Sequence, residues 1–288
     1  MVNQPLAAVN PLASFMRQPK IYIKLPSNGQ FWAPGSLIIS ETGDYPVYSM
    51  TAKDELMLKV PDALITGQAV VDVIQHCIPN IKNAWEIPSI DLDVILISIR
   101  LATYGEKMVS PIKLGDQEVD YAVDLRQVMD TLLSSITWDT AVPINNDITV
   151  FVKPLNYKTI SEGAVKTFET QKIIDAVNNE NISEADKVSI FKESFQKLTA
   201  VTIGVVQSSI FRIDTPIGST EDLTHIKEFI DNADKEVFDK VQKHLDKLRE
   251  INSIKPIRIA VTDELKEQGY TEDFIEIPLV FDPSTFFA

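Results

Sequence analysis

Apolar and polar positions change period several times along the chain, and each change marks an element. Lys20 to Leu25 (KIYIKL) alternates with period two, as a strand with one buried face requires. Pro26-Ser27-Asn28-Gly29 follows as a turn, because Pro fixes its own φ and Asn-Gly tolerates positive φ. The next run, QFWAPGSLII, is aromatic and β-branched, and its Pro34 and Gly35 predict a returning strand that is bent or on an edge. From Ser49 the pattern turns helical. Thr51 is placed to cap a helix with Asp54 and Glu55 in its first turn, and Met50, Leu56, Met57 and Val60 supply apolar surface until Pro61. Pro61-Asp62 opens a second short helix that Gly67 can end, and Gln68 to Ile78 forms a third with Val70, Val73, Ile74 and Cys77 on one stripe. Asp91 to Tyr104 (DLDVILISIRLATY) reads as a further buried helix, with a strand the alternative because its apolar run is continuous.

Pro111 to Leu125 and Asp147 to Leu155 read as strands, with Leu114-Gly115-Asp116-Gln117 as a turn, and Asp124 to Thr131 as a brief helix or part of the sheet. Ser161 to Val177 is helical. Ser183 caps a longer helix whose Val188, Phe191, Phe195, Leu198, Thr202 and Val205 recur three and four apart, the spacing of a seam against another helix. Asp214 to Ser219 breaks the chain at Pro216 and Gly218. Ser219 or Thr220 then caps one charged helix carrying Ile230, Ala233, Val237, Val241, Leu245, Leu248 and Ile251, which Pro256 ends. IRIAV and IEIPLVF are two closing strands around a short acidic turn or helix. The expected fold class is α+β: a mixed small sheet with packed helices and an inserted helical segment. The expected organisation is an N-terminal arm (1–18), an α+β body (19–160), the helical segment (161–253) and a C-terminal β return packing on the body (254–288).

Composition narrows the function. The 288 residues suit one large or two modest domains, and the 44% hydrophobic fraction excludes collagenous and low-complexity chains. Subtracting 41 acids from 27 bases leaves −14, the wrong sign for a dedicated nucleic-acid binder. One cysteine, Cys77, cannot form an intramolecular disulfide, and with three histidines it cannot supply a zinc ribbon or Cys₂His₂ finger. The first residues carry no secretory pattern, no stretch is long and apolar enough to span a membrane, and the chain reads as intracellular in origin. Against this acidic background residues 1–40 hold Arg17, Lys20 and Lys24 and no acid. That reversal of sign marks the arm and first hairpin as a candidate protein-contact surface with Phe15, Tyr22, Phe31 and Trp32 as aromatic anchors. The plainer alternative is a frayed terminus before an ordinary hairpin.

The sequence offers little for catalysis. There is no phosphate-cradling glycine loop and no HExxH, GxSxG or EF-hand pattern. His76 and Cys77 are adjacent, so on a helix they diverge by about 100° and do not face each other as a thiolate pair must. Asp91 with Asp93, or Asp54 with Glu55, are the carboxylate pairs available for acid hydrolysis of a glycosidic bond, though 41 acids produce such pairs by chance. No catalytic, cofactor-binding or metal-binding residue is assigned, and the chain is expected not to be an enzyme.

Three blocks carry a resemblance: Pro19-Lys20-Ile21-Tyr22-Ile23-Lys24-Leu25-Pro26-Ser27-Asn28-Gly29; Ser49-Met50-Thr51-Ala52-Lys53-Asp54-Glu55-Leu56; and Pro61-Asp62-Ala63-Leu64 with Gly67. Together with the closing LVFDPSTFF, Leu279 to Phe287, they resemble the baseplate hub family of T-even-like contractile-tailed bacteriophages. The resemblance implies a non-catalytic structural or assembly component of the tail baseplate hub, assembled in the host cytoplasm and located in the virion tail. Its implied partners are other hub proteins, with no cofactor, nucleic acid or membrane, and with self-association left open. A transient assembly chaperone absent from the mature particle is the alternative, and an acid-dependent cell-wall hydrolase using Asp91 and Asp93 a remote one. Asp54 and Glu55 admit two readings: an exposed pair meeting a basic patch on a neighbour, or local architecture at a helix start.

Overall fold

The computed structural model describes residues 12, 16–60, 66–114, 117–179, 183–261, 266, 273–277 and 286. Its buried side chains fall into two clusters. The first is built around a helix from Ser89 to Tyr104 (α3), whose Val94, Ile95, Ile97 and Ile99 are inaccessible to solvent. Strands Ile21–Ile23 (β1) and Tyr45–Val47 (β2), and helices Ala52–Met57 (α1) and Gln68–Cys77 (α2), pack around it. The continuous apolar run of α3 is thereby explained: a helix surrounded on all sides needs no polar face.

β1 pairs antiparallel with β2, Ile21 opposite Val47 and Ile23 opposite Tyr45. The returning strand expected at Gln30–Ile39 is not formed. The turn after β1 has Asn28, Gly29 and Phe31 at φ of 50°, 80° and 67°, which carries the chain away from β1. Among the described residues the segment's one β-bridge is Leu37 to Ile81, beside which Ile38 N–H donates to the Asn80 carbonyl and the Ser36 carbonyl accepts from Lys82 N–H, and Tyr45–Val47 takes the strand pairing instead. Thr51 and Asp54 form the capping box that opens α1. The second short helix expected from Pro61 lies outside the described residues. Gly67, at φ +79°, stands at the start of α2, with Val70, Val73, Ile74 and Cys77 buried along its stripe.

Lys107–Leu114 (β3) and Gln117–Asp124 (β4) form a hairpin whose turn residues Gly115 and Asp116 lie outside the described residues. Asp124 then caps a helix from Leu125 to Ser135 (α4), which decides the helix-or-sheet alternative for that stretch. The second core lies on a four-stranded antiparallel sheet in sequence order: Ala141–Pro143 (β5), Thr149–Val152 (β6), Ile210–Thr215 (β7) and Gly218–Thr220 (β8). Between β6 and β7 runs a long hairpin of two helices, Tyr157–Asn179 (α5) and Glu184–Ser209 (α6), with Ser183 capping the second. At its root the Tyr157 N–H donates to the Ile87 carbonyl, and Tyr157 stacks on Trp85 with ring centroids 5.6 Å apart.

The stretch 161–253 is therefore not helix throughout. Asp214 to Ser219, read as a break, is the hairpin joining β7 to β8. The single charged helix is two, Leu223–Asn232 (α7) capped by Asp222 and Lys235–Asn252 (α8) preceded by Asp234. Ala233 and Asp234 are extended, and the change of direction lets Ile226 and Ile230 of one helix and Val241, Leu245 and Leu248 of the other enter the same core. The seam expected on α6 is also rearranged. Val188 and Phe195 are 66% and 64% exposed, whereas Thr170, Val177 and Ser194 are buried in the hairpin. Three-and-four spacing describes a face about 100° wide, and here close approach of the helices at small side chains selects a neighbouring stripe. Ile257–Ala260 (β9) and Phe274–Ile277 (β10) pair antiparallel, as the alternation predicts. Helices beside small antiparallel sheets make the chain an α+β protein.

Candidate interaction surface

β1 exposes one side. Lys20, Tyr22 and Lys24 point outward, Tyr22 65% exposed, while Ile23 and Leu25 enter the first core. The acid-poor sequence thus presents two ammonium groups flanking an aromatic ring. Arg17 is used differently: its guanidinium donates to the carbonyls of Ser49 and His76, both at 2.6 Å, and lies over the Tyr48 ring. It fastens the incoming chain to the body. Phe15 lies outside the described residues.

Of the other two aromatics, Trp32 faces inward. The Trp32 indole N–H donates to Asp91 at 2.8 Å, and the ring packs against the first core. Phe31 is half-buried and lines, with Trp32 and Pro34, a hollow of about 630 Å³ that also touches Lys153 and Phe211.

Asp54 is buried. It accepts from the Thr51 N–H at 2.7 Å and the Thr51 hydroxyl at 2.8 Å, and its other oxygen lies 2.7 Å from His76 Nδ1. Burial pushes its carboxyl up, but the hydrogen bonds from Thr51 and His76 together hold it below the ordinary value. Glu55 is half-buried and hydrogen-bonded to the Tyr104 hydroxyl. The two acids therefore have separate partners within the chain.

Asp91 and Asp93 do not share a site either. Two positions apart on α3, they point to different sides. Asp91 is fully buried and receives the Ser27 N–H, the Ser27 hydroxyl and the Trp32 indole, tying the PSNG turn to the central helix. Burial pushes it up to about 6, against the pull of those donors. Asp93 lines a cavity of about 490 Å³ between α3, α5, α6 and α8, shared with Trp138, Leu155 and Arg249, and burial alone lifts it to about 6. Two carboxyls must flank one bond to hydrolyse a glycoside, and these two lack that geometry. Cys77 is buried, and burial with the nearby Asp54 charge pushes its thiol up to about 12, which leaves it inert at neutral pH. Among the described residues no group of His, Cys, Asp and Glu is arranged to hold a metal, and no helix is long and apolar enough to cross a membrane.

Sequence reasoning missed one exposed feature. Phe168 and Ile173 on α5, with Val188 and Phe195 on α6, are 40–66% exposed on the outer part of the hairpin. The available signal was a surplus: that stretch carries more apolar residues than one two-helix seam can cover.

A chain with outward basic and aromatic groups along β1 and its flanks, exposed apolar groups on a projecting hairpin and the carboxylates Asp54, Glu55 and Asp91 engaged within the chain has the surface of a protein that works by contact. Residues 16–265 match the family of T4 bacteriophage base plate proteins, and the chain belongs to that family. No curated protein and no solved structure gives a match. Membership places the chain in the baseplate of a phage tail in a structural role, and implies contacts with other baseplate proteins.

Proposed function

We propose that this chain is a structural or assembly component of the baseplate hub, that it is not an enzyme, and that it acts through protein contacts made by the outward face of β1. The observation carrying this reading is the trio Lys20, Tyr22 and Lys24, all exposed on β1 and the residues flanking it, in a segment free of acid within a chain of charge −14. Such a face recognises an acidic partner surface: the lysines steer encounter, and the tyrosine supplies buried area. Its partners are other hub proteins rather than nucleic acid or lipid.

The test is co-purification with tail proteins from infected cells, comparing the natural chain with Lys20→Glu/Tyr22→Ala/Lys24→Glu. All three side chains are exposed, so melting should stay within about 1 °C while partner recovery falls at least tenfold, from a change on the order of 1.4 kcal/mol. Full recovery of partners by the triple variant would overturn the assignment of this face. The exposed hairpin residues Phe168, Val188 and Phe195 favour a second reading, a transient factor that holds a hub partner and then leaves. Mass spectrometry distinguishes the two, since a transient factor is abundant in assembly intermediates and missing from purified particles.

A further inference from the structure

Asp93 carries a charge into an apolar cavity and finds no partner there. The cavity, of about 490 Å³, lies where the two cores meet: Leu92 on α3 packs against the first, Leu245 on α8 belongs to the second, and Ile160 on α5 and Val205 on α6 add apolar wall. Its neutral polar side chains are largely engaged within the chain. The Trp138 indole donates to the Val152 carbonyl, the Thr159 hydroxyl to Asn156, Thr167 to the Gly163 carbonyl, Ser209 to the Val205 carbonyl and Asn252 to the Thr137 carbonyl. Arg249, the one cationic side chain lining the cavity among the described residues, is 67% exposed and is held by Asp246 at 3.2 Å. Asp93 has neither a hydrogen bond nor an ion pair among the described residues; burial alone acts on its carboxyl, which at about 6 is still ionised at neutral pH. An Asn or Leu would fill the position without the cost of desolvating a charge.

The volume falls within the range of small-molecule sites, about 300–1,000 Å³, and the lining is of their kind, apolar groups around one fixed charge. Charge and shape together select the ligand: an ammonium to meet the carboxylate, on an aliphatic body to meet the walls. A neutral or anionic guest of the same shape would leave Asp93 unpaired. We propose that this cavity is a binding site for a small organic amine, with Asp93 pairing its ammonium group and the walls from four helices covering its hydrocarbon body. Because those walls come from both cores, a bound amine braces one against the other. The site is separate from the outward face of β1, and the assignment of that face does not depend on it.

Calorimetric titration of the purified full chain with n-hexylammonium, n-hexanol and hexanoate tests the site, at about 0.15 M salt, where loose attraction of cations to a chain of charge −14 is screened. Hexylammonium should bind one-to-one with a Kd below about 1 mM, hexanol at least about tenfold more weakly and hexanoate not measurably. Asp93→Asn keeps the shape of the cavity and removes its charge, and should weaken hexylammonium to the level of hexanol. Equal binding of amine and alcohol by the natural chain, or hexylammonium binding that Asp93→Asn leaves unchanged, overturns the proposal. So does the absence of hexylammonium binding by the cooperatively folded natural chain. Nα-acetyl-lysine methylamide separates a free amine from the lysine of a partner: it should bind at least about tenfold more weakly than hexylammonium, because a peptide stub must enter as well. Equal or tighter binding assigns the cavity to a partner's side chain and overturns the free-amine assignment.

Discussion

Asp54 shows how much one side chain can hold. It closes the α1 capping box and receives His76 of α2, so a single carboxylate joins two helices. Asp54→Asn with Glu55→Gln should lower stability by about 2 kcal/mol at pH 7, most of it from Asp54, read as a fall in the urea midpoint. Because the folded carboxyl sits below its unfolded value of 3.8, its contribution is complete above that value and is lost as pH falls through the folded one. The gap between variant and natural chain should therefore close toward pH 2. Asp93 runs the other way. Its pKa is raised to about 6, so its contribution is complete below 3.8 and is lost as pH rises through 6. Asp93→Asn should stabilise the chain by about 1–2 kcal/mol at pH 8 and leave it unchanged at pH 3.5. A gain of equal size at both pH values would mean that the effect is packing rather than charge.

At the scale of elements, Gly67 marks a close approach between the start of α2 and α5. It starts α2 at φ +79°, and a Cβ there would lie 2.7 Å from the Ser161 hydroxyl and 3.1 Å from that of Tyr157, both on α5. Gly67→Ala combines a left-handed backbone with a collision and should destabilise by about 2–3 kcal/mol. Adding Ser161→Ala relieves the nearest contact and should recover part of the loss, about 1 kcal/mol, in a double-mutant cycle. No recovery would place the whole effect in the backbone. Elements also show where local reading stops. The Thr51 capping box, the positive-φ turn at Asn28-Gly29 and the stripe of α2 were legible because each depends on neighbours within four residues. The break at Ala233-Asp234 was not: the three-and-four spacing runs across it unbroken, and only packing against the sheet shows that two helices are needed.

For the whole molecule, Arg17 ties the incoming chain to the body through Ser49, His76 and Tyr48. Deleting residues 1–16 should shift thermal unfolding by no more than about 1–2 °C while weakening association with tail proteins; a large loss of stability with binding intact would make that segment part of the fold. The sequence by itself determined the capped helices, the alternating strands at β1 and at β9 and β10, the α+β class, the acid-poor first segment and, through the PSNG, TAKDEL and PDAL blocks, the resemblance to phage baseplate proteins. All of these follow from spacing, turn chemistry and composition, which are local or additive along a chain. It also located Asp91 and Asp93, but not that one serves the PSNG turn while the other faces a cavity. Only the tertiary structure decided that α3 is a helix buried on every side, that Tyr45–Val47 and not Gln30–Ile39 pairs with β1, and that β7 and β8 complete a sheet begun before the long hairpin. It decided too that Phe195 faces water and that Arg100 meets Phe286. The physical reason is common to these cases: a short apolar run satisfies several packings equally well, and the choice among them rests on partners far away in sequence, whose contacts are favourable only once the chain has closed the loops that bring them together.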